Sequence, residues 1–165
     1  MKYKRILIFG APGYGKSFFS REISKVLNIP AFDLDDITWK NEKEKVIDKQ
    51  RDKNLAARLK NKSWIIEGPY AGDWLHSAFI KSDFWIILKT NRMLATKRII
   101  HRSLKRKLGK IKGRKTPIKE LPRLLKYAWQ YDYFPKYIKL AKKYKKPFII
   151  LRSKKQIKSF LENLK

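Results

Sequence analysis

GAPGYGKS, residues 10–17, matches the phosphate-cradling signature G-x-x-x-x-G-K-[ST], and its flanks supply the context that signature needs. Before it, Ile6, Leu7, Ile8 and Phe9 form an unbroken apolar run stopped by Gly10, which reads as a buried strand over residues 4–9. After it, Phe19, Ile23, Val26 and Leu27 recur at helical spacing, so residues 16–27 read as a helix ended by Asn28 and Pro30. Small residues let successive backbone N–H groups turn inward around phosphate oxygens, and the start of the helix adds partial positive charge. Lys16 is then expected to reach the β- and γ-phosphates and Ser17 to ligate Mg²⁺. The residues expected to line the nucleotide are Gly10, Pro12, Gly13, Tyr14, Gly15, Lys16, Ser17 and Phe18. A glycine-rich strand-to-helix turn with an incidental lysine is the competing reading, and it leaves the spacing unexplained.

Four more apolar runs lie downstream, at residues 31–34, 64–67, 84–88 and 148–151. Between them, residues 43–60 carry a weak helical pattern through Ile47, Leu55 and Leu59. Residues 92–107 read as a helix with Met93, Ile100 and Leu104 inward. GKIKGRK, residues 109–115, has two glycines and no apolar pattern, so it reads as a mobile loop. Thr116-Pro117 has the form of an N-cap and a first helical proline, and Pro122 and Pro135 should divide the chain beyond it into shorter helices. Ser153 and Gln156 form a capping-box pattern before Ile157, Phe160, Leu161 and Leu164. Five buried strands alternating with helices indicate a parallel sheet covered on both faces, an α/β fold whose ligands bind beyond the carboxyl ends of the strands.

Those strand ends carry the candidate chemistry. FDLDDITWK places Asp33, Asp35 and Asp36 after the second strand, and period-2 alternation puts Asp33 and Asp35 on one side if the strand continues that far. Phosphoryl transfer to a hydroxyl needs a carboxylate to orient or deprotonate the acceptor, and Mg²⁺ needs oxygen ligands, often through water. The alternative is that Asp35 or Asp36 merely caps the next helix. Glu67 ends the apolar strand of WIIEGPY, the pattern in which an acid holds the metal's water. Ser17, Asp35 and Glu67 are therefore the candidate metal ligands, and Asp33, Asp35, Trp39, Glu67 and Tyr70 the candidate acceptor site. Trp39, Tyr70 and Trp74 could stack a planar acceptor or could be half-buried packing residues. Arg98 and Arg102 lie four apart on one helix face, with Arg114 in the loop beyond. Closed over a triphosphate, they would stabilise charge on the transferring group, so Lys16, Asp35, Arg98, Arg102 and Arg114 are the catalytic candidates. Arg152, just past the last strand, is the candidate border of the adenine.

Length and composition set limits on this reading. A chain of 165 residues fits one domain, and 43% hydrophobic content excludes general disorder. Without cysteine there are no disulfides or thiolate metal sites, and two histidines make histidine-based chemistry improbable. The N-terminal apolar run is too short for a signal-peptide core or membrane span, so a cytoplasmic protein, monomer or homodimer, is expected. The formal net charge of +28 is uneven: residues 1–83 hold 16 Lys/Arg against 11 Asp/Glu, and residues 84–165 hold 26 against 3. Such a half suits a polyanionic partner such as nucleic acid, although lysines outnumber arginines 31 to 11, whereas bidentate phosphate recognition favours arginine.

RILIFGAPGYGKS, FDLDDITW, WIIEGPY, RIIHRSLKR with GRKTP, and FIILRSKKQIKSFL together resemble the bacterial topology-modulation-protein family, a branch of the adenylate-kinase-like P-loop kinases. The resemblance runs over residues 4–164, and the order of the motifs is more specific than any one of them. Leu34-Asp35 and Trp39 stand where that family has a leucine-aspartate pair before a tryptophan. Its IIDGNY segment matches residues 65–70, with Glu67 for aspartate and Pro69 for asparagine. The resemblance implies a P-loop NTPase sheet of order 2-3-1-4-5, an arginine-bearing lid over about residues 102–116, and ATP- and Mg²⁺-dependent transfer to an unidentified acceptor. Nucleoside monophosphate kinases follow the third strand with an arginine for the acceptor phosphate, whereas Pro-Tyr-Ala-Gly-Asp follows Glu67-Gly68 here. The acid cluster looks more like that of hydroxyl-phosphorylating members such as shikimate, gluconate or polynucleotide kinases. A nucleic-acid-directed protein and a plain NTPase without acceptor are the rival readings.

Overall fold

The computed structural model describes residues 3–41, 44–108, 121–130 and 133–164. Its centre is β1 (Arg5–Phe9), flanked by β3 (Trp64–Gly68) and β4 (Phe84–Leu88), with β2 (Ala31–Asp33) and β5 (Phe148–Leu151) at the edges. All pairings are parallel and the order is β2-β3-β1-β4-β5. The apolar runs demand this arrangement, because alternate side chains of each strand need cover on opposite faces. Leu7, Phe9, Trp64, Ile66, Trp85 and Ile87 build one core, with α2 (Leu34–Thr38), α3 (Asp48–Leu59), α4 (His76–Lys81) and α7 (Phe134–Lys143) over it. Ile6, Ile8, Ile65, Ile86 and Leu88 build the other, under α1 (Lys16–Leu27) and α8 (Lys154–Glu162). α5 (Arg92–Lys107) and α6 (Leu121–Gln130) pack on each other.

Three expectations fail here for local reasons. β2 stops at Asp33, and Leu34 begins α2, because the Asp33 carboxylate accepts the Asp35 N–H at 2.8 Å and caps a helical turn. Asp33 is thus the cap, where Asp35 or Asp36 was the alternative expected. The helix expected from residue 43 starts at Asp48, since Trp39 and Lys45 form an antiparallel bridge and Val46 N–H bonds to Thr38 O. Ile47 is 72% exposed, while Leu55 and Leu59 are buried.

α5 has the expected ends but the opposite face inward. Ala95, Ile99 and Ser103 are buried, whereas Met93, Ile100 and Leu104 are exposed. The close approach to the glycine-rich loop is at Ala95: a Cβ at Gly13 would lie 2.6 Å from the Ala95 carbonyl oxygen, so a small side chain stands there, with Ile99 and Ser103 following on the same face. Pro135 stands in the first turn of α7 and Pro122 is the second residue of α6; the chain before Leu121 lies outside the described residues. The Ser153 cap is made, its hydroxyl accepting Gln156 N–H at 3.1 Å. Gln156 Oε1 in turn accepts the Arg152 N–H rather than that of Ser153. The loop at 109–115, Arg114 and the Thr116-Pro117 helix start lie outside the described residues.

Candidate active site

Of the candidate site's two ends, expected to hold phosphate donor and acceptor, the donor end is mostly backbone. Gly13 and Gly15 stand at φ 79° and 88°, left-handed values that cost a side chain free energy and let the loop curl. Tyr14 N–H closes a turn on Ala11 O at 3.2 Å, and Lys16, buried at 8% exposure, donates from Nζ to the same carbonyl at 3.3 Å. Gly15 caps α1 without a side-chain acceptor and the first turn contains no acid, so the positive end of the helix is uncompensated. Arg98 on α5 donates to Gly13 O at 3.3 Å, bringing its guanidinium against the loop; Arg102 is half-buried one turn further on. Tyr14 lines a small crevice with Gly10, Ala11, Leu88, Tyr133, Phe134 and Tyr137, packing the loop against the start of α7. Phe18 is 58% exposed.

The acceptor end is made of side chains. Asp33 and Glu67 are register neighbours on β2 and β3, on the face of the sheet that carries α1. Burial, then the charges of Glu67 and Asp35, push Asp33 from 3.8 up to about 8, against the opposing Asp35 N–H and Lys16. Glu67 is 2% exposed, and its Oε1 has no hydrogen-bond partner among the described residues. A buried carboxylate oxygen without a donor is costly unless a cation or its water occupies that side. With the Ser17 hydroxyl this hard-oxygen set fits Mg²⁺. Among the described residues no three His, Asp or Glu side chains could hold a metal by themselves, so phosphate oxygens and water would complete the shell.

Asp35 Oδ1 accepts from Tyr70 Oη at 2.6 Å, and Tyr70 Oη accepts from Trp39 Nε1 at 3.1 Å. Burial, followed by the Asp35 charge, pushes the Tyr70 phenol well above its ordinary value. Tyr70 packs edge-on to Trp74, over which the Arg51 guanidinium lies at 4.6 Å. Tyr137 Oη donates to Pro69 O at 2.8 Å, tying the turn after β3 to α7. Arg152 is packed at 5.5 Å over the ring of Phe134, with Lys89 at 4.4 Å from the same ring, so an aromatic side chain lies beside Arg152.

The structure therefore brings together Lys16, Ser17, Asp33, Asp35, Glu67 and Arg98 on one rim, with Trp39 and Tyr70 behind Asp35. Arg51, Tyr133, Phe134 and Tyr137 were not legible as neighbours of the site. Arg51 sits on a weakly periodic helix, and the aromatics come after a stretch whose register against the sheet no local pattern sets. No helix among the described residues is long and apolar enough to cross a membrane.

No family model matches the chain, and no curated protein matches its sequence. Solved structures do. Shikimate kinase from Bacteroides thetaiotaomicron superposes with a TM-score of 0.58 at 17% identity, covering 98% of this chain and 96% of that one. Shikimate kinase from Acinetobacter baumannii in complex with shikimate gives 0.65 at 16%, covering 99% and 91%. A sugar kinase from a Janibacter species gives 0.51 at 12%, covering 98% and 89%. These likenesses establish the fold, a five-stranded parallel sheet of order 2-3-1-4-5 with helices on both faces.

Proposed function

We propose that the chain is an ATP- and Mg²⁺-dependent phosphotransferase of the P-loop kinase type, acting in the cytoplasm on a small hydroxyl-bearing or nucleotide acceptor. The observation that carries this reading is the set Asp33, Asp35 and Glu67, with a buried Glu67 oxygen that has no partner among the described residues, facing the uncompensated start of α1. Loop N–H groups and Lys16 bind the triphosphate. Ser17 and Glu67, with Asp35 beside them, hold the cation, which supplies charge neutralisation at the β- and γ-phosphates. Asp35 orients the acceptor hydroxyl and takes its proton. The acceptor oxygen bonds to the γ-phosphorus as the bond to the β–γ bridging oxygen breaks, and ADP leaves with that electron pair. Arg98, Arg102 and Arg114 meet the charge on the transferring group, and Arg152 with Phe134 borders the base.

A hydroxyl acceptor is favoured over a nucleoside monophosphate because no arginine follows Glu67-Gly68. The shikimate and sugar kinases that share the fold carry hydroxyl acceptors in their names. A topology-modulation-type kinase is the branch that the motif order supports. The test is a labelled-ATP transfer screen over nucleosides, nucleotides, hydroxylated metabolites and 5′-hydroxyl oligonucleotides. Asp35→Asn is expected to abolish transfer with ATP affinity held within about twofold; lost ATP affinity would remove the assignment of Asp35.

The basic half favours a second reading, a polynucleotide acceptor. Lys136, Lys139, Lys142 and Lys143 are all exposed on α7. That reading requires binding to DNA or RNA that falls steeply with salt. Failure to bind duplex or single strands at moderate salt removes it.

A further inference from the structure

From sequence, Trp39 and Tyr70 could form a stacking surface for the acceptor, yet their polar tips are both engaged elsewhere. An indole N–H can only donate, so in the 3.1 Å contact Tyr70 Oη must be the acceptor. The one phenolic proton is then free for the carboxylate, and it lies 2.6 Å from Asp35 Oδ1, measured between the oxygens. Thr38 Oγ1 also lies within hydrogen-bonding reach of the Tyr70 hydroxyl, and it donates its own proton to Leu34 O at 2.7 Å, so the 2.6 Å partner of the phenolic proton is the Asp35 carboxylate. The chain Trp39 Nε1–H to Tyr70 Oη–H to Asp35 Oδ1 therefore has one possible direction.

Both ends are anchored. Trp39 is the C-cap of α2, one turn beyond Asp35, and its own N–H bonds to Asp35 O at 2.9 Å. Tyr70 is held by the edge-on ring of Trp74, and the preceding residue, Pro69, by the Tyr137 hydroxyl. A carboxylate with one oxygen fixed by a short bond cannot rotate freely about its Cβ–Cγ bond, so its second oxygen keeps one heading.

We infer that Tyr70 and Trp39 are positioning residues, which lock Oδ1 of Asp35 and leave Oδ2 aimed for the acceptor hydroxyl. The inference rests on the reading of Asp35 as the acceptor's base. It assigns the two aromatics to the orientation of the base, and no contact with the acceptor is needed from either ring.

The experiment uses the full chain with Mg·ATP, water serving as acceptor, and compares kcat and KM for ATP in Asp35→Asn, Tyr70→Phe, Trp39→Phe and the Tyr70→Phe/Trp39→Phe pair. Each phenylalanine keeps a ring in place and removes one polar atom. Tyr70→Phe is expected to lower kcat about tenfold and Trp39→Phe about threefold, with KM for ATP within about twofold. The double variant is expected to match Tyr70→Phe alone, because Trp39 acts only through the hydroxyl that is missing there. The Trp39 indole N–H resonance should move in Tyr70→Phe. Wild-type kcat in Tyr70→Phe beside a slow Asp35→Asn overturns the positioning role while leaving Asp35 in place. Multiplying effects in the double variant, or an unmoved indole resonance, overturn the chain. A wild-type rate in Asp35→Asn removes the base itself, and with it the reading of the site on which this rests.

Discussion

The two ends of the candidate site, donor and acceptor on the function proposed above, are built from different materials. The donor end is backbone: one short run of consecutive residues, two glycines in left-handed conformation and the start of one helix. The acceptor end is side chain: Asp33 and Asp35 from β2 and α2, Glu67 from β3, Tyr70 from the turn beyond it and Tyr137 from α7. A backbone cradle is specified by contiguous residue types and survives almost any surroundings that leave it room. A side-chain cluster exists only once several segments have docked, and its charges feel one another at short range.

The contrast can be broken hardest at Gly13. Gly13→Ala adds a Cβ at positive φ and 2.6 Å from the Ala95 carbonyl oxygen, so loop and α5 cannot both stay where they are. Urea unfolding should show a loss of roughly 2–4 kcal/mol, and ATP titration a fall in affinity of about a hundredfold or more. An alanine variant with wild-type ATP binding would mean that the cradle tolerates its neighbour, against the close packing found here.

Asp33 tests the acceptor end. Its carboxyl titrates near 3.8 when unfolded and near 8 when folded. Between those values the folded state keeps a proton that the unfolded chain has released, so this group takes stability away as pH rises, until the loss levels off above pH 8. Asp33→Asn lacks that proton, and its amide oxygen can still accept the Asp35 N–H. Urea titrations from pH 5 to pH 9 should therefore show the variant gaining on the wild type up to about pH 8, by a few kcal/mol in all, with no further gain beyond. A gap that is constant with pH would show that Asp33 titrates normally.

A test on stability alone separates the faces of α5, the helix that braces the glycine-rich loop. Ile99→Ala should cost about 2–4 kcal/mol, since Ile99 is 1% exposed. Leu104→Ala, at a position 52% exposed, should stay within about 0.5 kcal/mol. Equal losses would put the expected stripe of Met93, Ile100 and Leu104 back inside.

The failure at α5 shows where reading by pattern stops. Two apolar stripes fit its 16 residues: Met93, Ile100 and Leu104, or Ala95 and Ile99 with Ser103. Hydrophobicity favours the first, but the close approach of α5 to the glycine-rich loop at Ala95 selects the second. The extent of β2 failed in a similar way, because alternation cannot foresee that a side chain will cap its own strand's end. By contrast, β4, β5 and α1 lie within their expected bounds, each set by a continuous apolar run or a strong helical pattern with a stop signal.

The sequence by itself determined the glycine-rich turn between β1 and α1, the apolar strands and the rim on which the acids lie, because those depend on neighbours within one or two turns of chain. Only the tertiary structure decided the raised affinity of Asp33 for its proton, the burial of Glu67 with an oxygen that no described residue pairs, and the bonded chain behind Asp35. These properties arise from burial and from distances of about 3 Å between residues some 30 positions apart, such as Asp35 and Tyr70, which no local pattern encodes.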